Sequence, residues 1–580
     1  MNKKSCLALS ATCGIAVRAR SAMAEKSLST RVSSVLAALV LGWSGSLLAA
    51  GPAPNQLPSG GQIVGGAGSV ASHGTTMTVT QTTQRMIANW QTFDIGANAQ
   101  VNFVQPSASA MALNRVLDQN PTTILGQLTA NGQVMLVNPA GIVFGQGGQV
   151  NTAGLVASTL ALSDEHFMAG QYHFTRDASG LAGNINNQGT IVTANGGVVA
   201  LISPVVQNSG VIQTPSGSTL LVAGDAVDID FSGDGLINYR VNTGTAHALL
   251  ENSGTINADG GMAVLSAHAA DAVTQAVVNN TGVVQAKSLQ NVNGRIVLES
   301  DLATNSGTLD AGSSLTVTTQ GALVNTGTLQ AGNGTTGGQI TANVNTLIDA
   351  GTWAVNGSER GGTIQIQAAG GIEQTAAGRM TADGGTGGGL RLTAGQSQYL
   401  SGTLSARGNT GAGGEIAVTA PETILAGAQV QADGATGGGR IRIGGGWQGQ
   451  DADLPNATTT TVTASSTLTA NATGHGNGGT VVLWSEQATA FAGNIEAKGG
   501  AKDGNGGQVE VSSHELLTFG GQVATAAPHG QDGSLLLDPR NITIDASGGG
   551  SAPAYPVACQ FGELMLACRH GPTWLSDNAS

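Results

Sequence analysis

Carboxylates and imidazoles are the side chains most able to do chemistry here. Asp225, Asp228, Asp230 and Asp234 fall within AGDAVDIDFSGDG, the densest acidic group of the chain. Such a group suits oxygen ligation of Ca²⁺ or the paired acid and base of a polysaccharide-cleaving site. His166 and His173 stand near Asp164 and Glu165 in SDEHFMAGQYHF, which reads as a loop. None of the nine histidines pairs with another His or a Cys at metal-ligand spacing, so no metal site is expected. The chain has no GxSxG nucleophile elbow and no GxxxxGK[ST] phosphate loop. GQGGQV, ADGGTGGGL and DGNGGQ lack the strand-to-helix context of a dinucleotide loop and the tandem GGxGxD of Ca²⁺ repeats, so they read as corners. No catalytic residue and no cofactor is expected, and the chain reads as a non-enzyme. A polysaccharide-active enzyme is the competing reading.

The elements that would position these residues are repeats. Asn-x-Gly followed by an alternating apolar run recurs as NQGTIVTA, NSGVIQ, NSGTINA, NTGVVQA, NSGTLDA and NTGTLQA, with glycines at 189, 210, 254, 282, 307 and 327. Asn and Gly supply a corner and the apolar alternation supplies a strand. Stacked corner asparagines would form an amide ladder along an axis. A second register, GGQITA, GGTIQI, GGLRL, GGEIAV, GGRIRI, GGTVVL and GGQVEV, places its second glycines at 338, 362, 389, 414, 439, 479 and 507. Five of the six gaps are 24 to 28 residues. Ile364/Ile366, Ile416/Val418, Ile441/Ile443 and Val509/Val511 would then share one inward face. The expected fold is all-β, a right-handed parallel β-helix with an N-terminal cap beginning near Ile63-Val64. Its roughly twenty coils, at ~4.8 Å each, would make a rod of about 100 Å. An antiparallel sandwich does not explain such even spacing.

Composition agrees. Gly is 89 of 580 residues, charged residues are 10% and aromatics 3%, while hydrophobics reach 40%, which suits a thin core of small and β-branched side chains. Residues 1–50 carry six Lys or Arg against Glu25, leaving 16 basic and 34 acidic residues in the remainder. An acidic surface argues against nucleic acid as a partner. Residues 1–50 read as an extended signal peptide whose apolar core is 32–48, and no later stretch is long and apolar enough to span a membrane. Cys6 and Cys13 precede residue 51 and Cys559 and Cys568 follow 545, so no disulfide can lock the intervening chain during export. Residues 546–580 lack the repeat and read as an atypical tail, through premature termination, a frame change or a small cap.

The most specific run is Trp90 to Leu160: NWQTFDIG, VNFVQPSASAMALNRV, ILGQLTANGQVMLVNPAGIVFG and LVASTL. It resembles the N-terminal secretion domain of filamentous-haemagglutinin-type exoproteins, the passengers of bacterial two-partner secretion. The resemblance implies a secretion (haemagglutination activity) domain at 51–300 and a β-helical repeat region at 301–545. It also implies a structural role for the AGD…DFSGDG run. The family's Asn-Pro-Asn-Gly-Ile motif falls on Asn138, Pro139, Ala140, Gly141 and Ile142, with Ala140 departing from the commoner Asn. Where the family carries Asn-Pro-Asn-Leu, this chain has Gln105 and Pro106, then Ser107 and Ala108, more like the high-molecular-weight adhesin branch. These seven residues, Gln105, Pro106 and 138–142, are either recognition residues or structural turns. The partners implied are an outer-membrane transporter barrel with periplasmic recognition modules, and host or bacterial cell-surface receptors or glycans. The location implied is secreted or cell-surface, through inner-membrane export and outer-membrane translocation. The function implied is that of an adhesin. Toxin delivery or haem acquisition by a part not present is the alternative within the family.

Overall fold

Along Thr363–Ala368 every second side chain is buried: Ile364, Ile366 and Ala368 point inward and Thr363, Gln365 and Gln367 outward. The same alternation recurs one coil later, and the strands pair in parallel without a register shift. Ile340 lies against Ile364, then Leu390, Ile416, Ile441, Val481, Val509 and Leu535. Slippage by one residue would expose the whole inward set, so the apolar pattern fixes the register.

The structure is a computed structural model that describes residues 51–538, apart from 177–179, 181–182, 232–236, 271–274 and 288–293, together with the strands Val557–Phe561 and Leu564–Cys568. The signal peptide expected at 1–50 lies outside the described residues, as do Asp234 and most of the tail. Each coil contributes one strand to each of three sheets, as in Thr363–Ala368, Gly371–Gln374 and Arg379–Thr381. Among the described residues sheet 1 has 20 strands and sheet 2 has 15. Seventeen strands of sheet 1 belong to coils, from Arg85–Trp90 to Ser534–Leu536, which at ~4.8 Å per coil is about 80 Å of rod. The parallel β-helix read from the spacing is the observed architecture. It has fewer coils than expected because three insertions, near 159–183, 224–247 and 444–457, lengthen the chain without adding a turn. An N-terminal cap is present: Gln62–Gly65 pairs antiparallel with Arg85–Trp90, and Gly68–His73 with Thr76–Gln81. Among the described residues no helix is long and apolar enough to cross a membrane.

One apolar cluster runs down the axis from Met77 to Leu535. Sheet 3 gives it a column of Leu309, Leu329, Trp353, Met380, Leu404, Val430, Leu468 and Ile495, in register coil to coil. Each such side chain stabilises by about 1.5–3 kcal/mol when fully buried.

The glycine column is steric. A Cβ on Gly414 would lie 2.0 Å from the carbonyl oxygen of Gly388, and one on Gly439 would lie 2.1 Å from that of Gly414. Sequence spacing put Gly389 in this column, but the occupant is Gly388, whose Cβ would meet Gly362 O at 2.1 Å. Gly389 is a strand residue beside Thr363, with ordinary room for a side chain. In a Gly-Gly-Gly run, only contact with the previous coil decides which glycine turns the corner.

The amide ladder is present. Asn187 donates to Asn208 at 2.7 Å, and the series continues through Asn252, Asn280, Asn305 and Asn325 at 2.8 to 2.9 Å. It ends on Asp349, which accepts from Asn325 and from the indole of Trp353, each at 2.9 Å. Burial pushes the Asp349 carboxyl up to about 6, against the pull of these donors.

Candidate functional site: the secretion-domain corners and the covered face of sheet 1

Asn138 ends the sheet 1 strand Gln133–Val137, and Ile142–Phe144 begins in sheet 2. Asn138 is completely buried. Its Oδ1 accepts from Ala140 N at 2.9 Å, and its Nδ2 donates to Asn120 O at 2.9 Å and Thr122 Oγ1 at 3.0 Å. Gly141 N donates to Asn138 O at 3.1 Å, closing a turn in which Pro139 needs no donor. Gly141 has φ +128°, a region that favours glycine. Ile142 is buried, and only Pro139 and Ala140 show partial exposure. The motif is therefore a corner tied to the preceding coil.

Gln105 is a different corner, between the sheet 3 strand Gln100–Val104 and the sheet 1 strand Met111–Val116. Its buried Nε2 donates to Gln81 Oε1 at 2.9 Å and Ala110 O at 3.0 Å, while Pro106 beside it is exposed. Gln105 and Asn138 thus lie on separate edges of the helix. Trp90 and Phe93 of NWQTFDIG are fully buried in the first coil, their rings edge to face at 5.3 Å. Trp90 Nε1 donates to buried Asn114 at 3.0 Å.

The first two insertions fold together over the outer face of sheet 1. SDEHFMAGQYHF, read as a loop, contains a helix, Asp164–Ala169, capped by Ser163 and by Gly170 in the left-handed region, followed by the strand Tyr172–Thr175. The loop reading fails because Phe167, Tyr172 and Phe174 are apolar anchors that bury against the sheet. That strand pairs antiparallel with Ala226–Phe231, which pairs with Ile237–Thr243. Ile87, Leu113, Met135, Ala200 and Leu220 on sheet 1 form one apolar cluster with Phe167, Phe174, Val227 and Ile229 of the cover. Sequence reading missed this layer. The signal was present as doubly apolar strands such as RMIANW and STLLVA, buried on both faces.

The acidic group has separate partners. Asp225 pairs with Arg176, and Asp228 bonds His173 and Asn242, while Asp230 is exposed. Burial would raise Asp228, but the bonds from His173 and Asn242 prevail and hold it below the ordinary carboxylate range. Glu299 is held low chiefly by His268 and also accepts from Tyr239 at 2.6 Å, fastening the cover to a later coil. No group of three metal-ligating side chains exists among the described residues.

A capped, Gly-cornered parallel β-helix with an antiparallel cover on one face defines the class: a solenoid whose N-terminal half carries that cover. Residues 55–311 match the TPS secretion domain family. That stretch of the chain is therefore similar to the secretion domain of two-partner secretion exoproteins. Two Haemophilus influenzae relatives, each described as a heme/hemopexin-binding protein, are 31% and 33% identical over 252 and 244 residues. These matches cover 42% and 39% of this chain but 27% and 26% of the relatives, so the chain spans about a quarter of their length. The HMW1 secretion domain from Haemophilus influenzae aligns over all of its length and 82% of this chain, at 24% identity and a TM-score of 0.41.

Proposed function

We propose that this exoprotein is recognised through residues 55–311 by the periplasmic modules of an outer-membrane barrel, crosses unfolded, and acts outside as an adhesin. The match to the secretion domain carries the first half of this reading. The continuous core beyond residue 311 supports the second, because the strands of each coil pair only with those of the adjacent coils and can stack as they emerge. The flank of the repeats then presents a long surface to receptors or glycans on other cells. Secretion with and without the barrel partner is the test: deletion of Thr129–Leu160 is expected to abolish appearance in the medium. Undiminished export of the deletion variant would refute it.

A second reading, haem or hemopexin capture, is favoured by the similarity to the two heme/hemopexin-binding proteins. Haem titration of the secreted chain, followed by its visible absorbance, separates the two. A stoichiometric, saturable change would favour capture over adhesion.

A further inference from the structure

In the second register the glycine period breaks once, with a gap of 40 residues between Gly439 and Gly479. The extra chain, about 444–457, lies back over the outer face of sheet 1. It is held at many points. Arg442 pairs with Asp451 and with Glu415, and Arg391 donates to Asp453 O. Gln448 N donates to the buried Glu510 carboxylate at 2.9 Å, and Asn456 donates to Glu486 at 2.6 Å and to Gly449 O at 2.9 Å. Gly449, at φ +68°, rests on the buried Trp484 ring, where a Cβ would sit 2.6 Å from the indole. Among the described residues Gln448 is one of two non-glycines at positive φ, at +52°, a conformation kept only where surroundings over-determine it. The loop is therefore a preorganised element.

Between this loop and the sheet is a cavity of about 480 Å³, within the range of small-molecule sites. Arg440, Trp447, Gln450, Thr480 and Gln508 line it. Arg440 is exposed and makes no ion pair, whereas Asp451, also at the rim, is neutralised by Arg442. We propose that this cavity binds the carboxylate-bearing sugar of an acidic glycan. Arg440 supplies a free planar guanidinium that matches a carboxylate. Trp447 supplies an apolar ring with a polar edge, suited to the C–H face of a pyranose. Gln450, Gln508 and Thr480 supply both donors and acceptors for hydroxyls. A polyphosphate or nucleic acid is disfavoured by the net charge of −13 and by a single unpaired cation at the site.

This proposal rests on the reading of the repeats as a surface-binding flank, and direct binding tests it apart from export and cell attachment. The secreted chain would be titrated with sialyllactose, glucuronate and, as a neutral control, lactose, by calorimetry or saturation-transfer NMR. Saturable binding of an acidic sugar is expected, with lactose at least about tenfold weaker, as the loss of one charged pair implies. Arg440→Gln and Trp447→Ala should each weaken binding about tenfold or more while leaving the circular dichroism spectrum unchanged. Absence of saturable binding by either acidic sugar, equal binding of lactose, or parental affinity in Arg440→Gln would overturn it. Failure of cell attachment with sugar binding intact would instead refute only the adhesin reading.

Discussion

Replacing Asp349 by Asn is the most searching perturbation of the axial ladder. The carboxyl is fully buried and its pKa stands at about 6 against an ordinary 3.8. A raised folded-state pKa means that the native state holds the proton more tightly than the unfolded chain. The contribution of Asp349 to stability is thus greatest below about pH 4, falls as pH rises through the window from 3.8 to about 6, and is flat above it. At ~1.4 kcal/mol per unit, the ionised carboxylate costs about 3 kcal/mol at neutral pH. The amide carries no such cost. Its Oδ1 can still accept from Asn325 Nδ2, Gly351 N and Trp353 Nε1. Its new Nδ2 would face Gln374, whose Nε2 now donates to Asp349 Oδ2 and whose Oε1 has no partner. A rotation of the Gln374 amide converts that orphan acceptor into the next rung. Asp349→Asn should therefore stabilise the protein by up to about 3 kcal/mol near pH 7.5 and by almost nothing near pH 4. Denaturant midpoints of parent and variant at the two pH values measure this, and the difference of differences cancels other titrating groups. A variant less stable than the parent near pH 7.5, or a gap independent of pH, would show that the ladder needs the charge.

Three further outcomes follow from the coils. Gly388→Ala should lower stability by about 3 kcal/mol or more through the 2.1 Å approach to Gly362 O, whereas Gly389→Ala, nearest Thr363 Cγ2 at 3.6 Å, should be neutral or slightly stabilising. Thermal midpoints of the two variants check this, and equal effects would refute the corrected register. Asn280→Ala removes a side chain that accepts from Asn252 and donates to Asn305, leaving Asn305 Oδ1 buried and unpaired and Asn252 Nδ2 with only a 3.5 Å bond to Gly254 O, for an expected loss of about 2 kcal/mol in denaturant unfolding. Asn138→Ala breaks the hydrogen bonds that tie its corner to Asn120 and Thr122, and should cost about 2 kcal/mol, read as faster amide exchange at Gly141.

Much of the helix is legible in the chain itself because its contacts are between adjacent coils. A strand at one position meets the strand 20 to 28 residues on, as Asn305 meets Asn325 and Asn252 meets Asn280, so periodicity in sequence is adjacency in space. The motif at 138–142 is legible as a turn for the same reason. Its Asn, Pro and Gly each do something local, and the burial of Asn138 follows from the coil beneath.

What sequence alone determined, then, was the coil, its inward face, its Asn ladder and its Gly corners. Tertiary structure decided which of Gly388 and Gly389 lies against the previous carbonyl, and where the insertions go. The cover reaches residues far away in sequence: Arg85 meets Met168 O across 83 residues, and Tyr239 meets Glu299 across 60. The loop at 444–457 is likewise fixed by Glu510, 62 residues beyond Gln448. Such contacts leave no period to read, because they are made once, between surfaces that exist only after the coils have stacked.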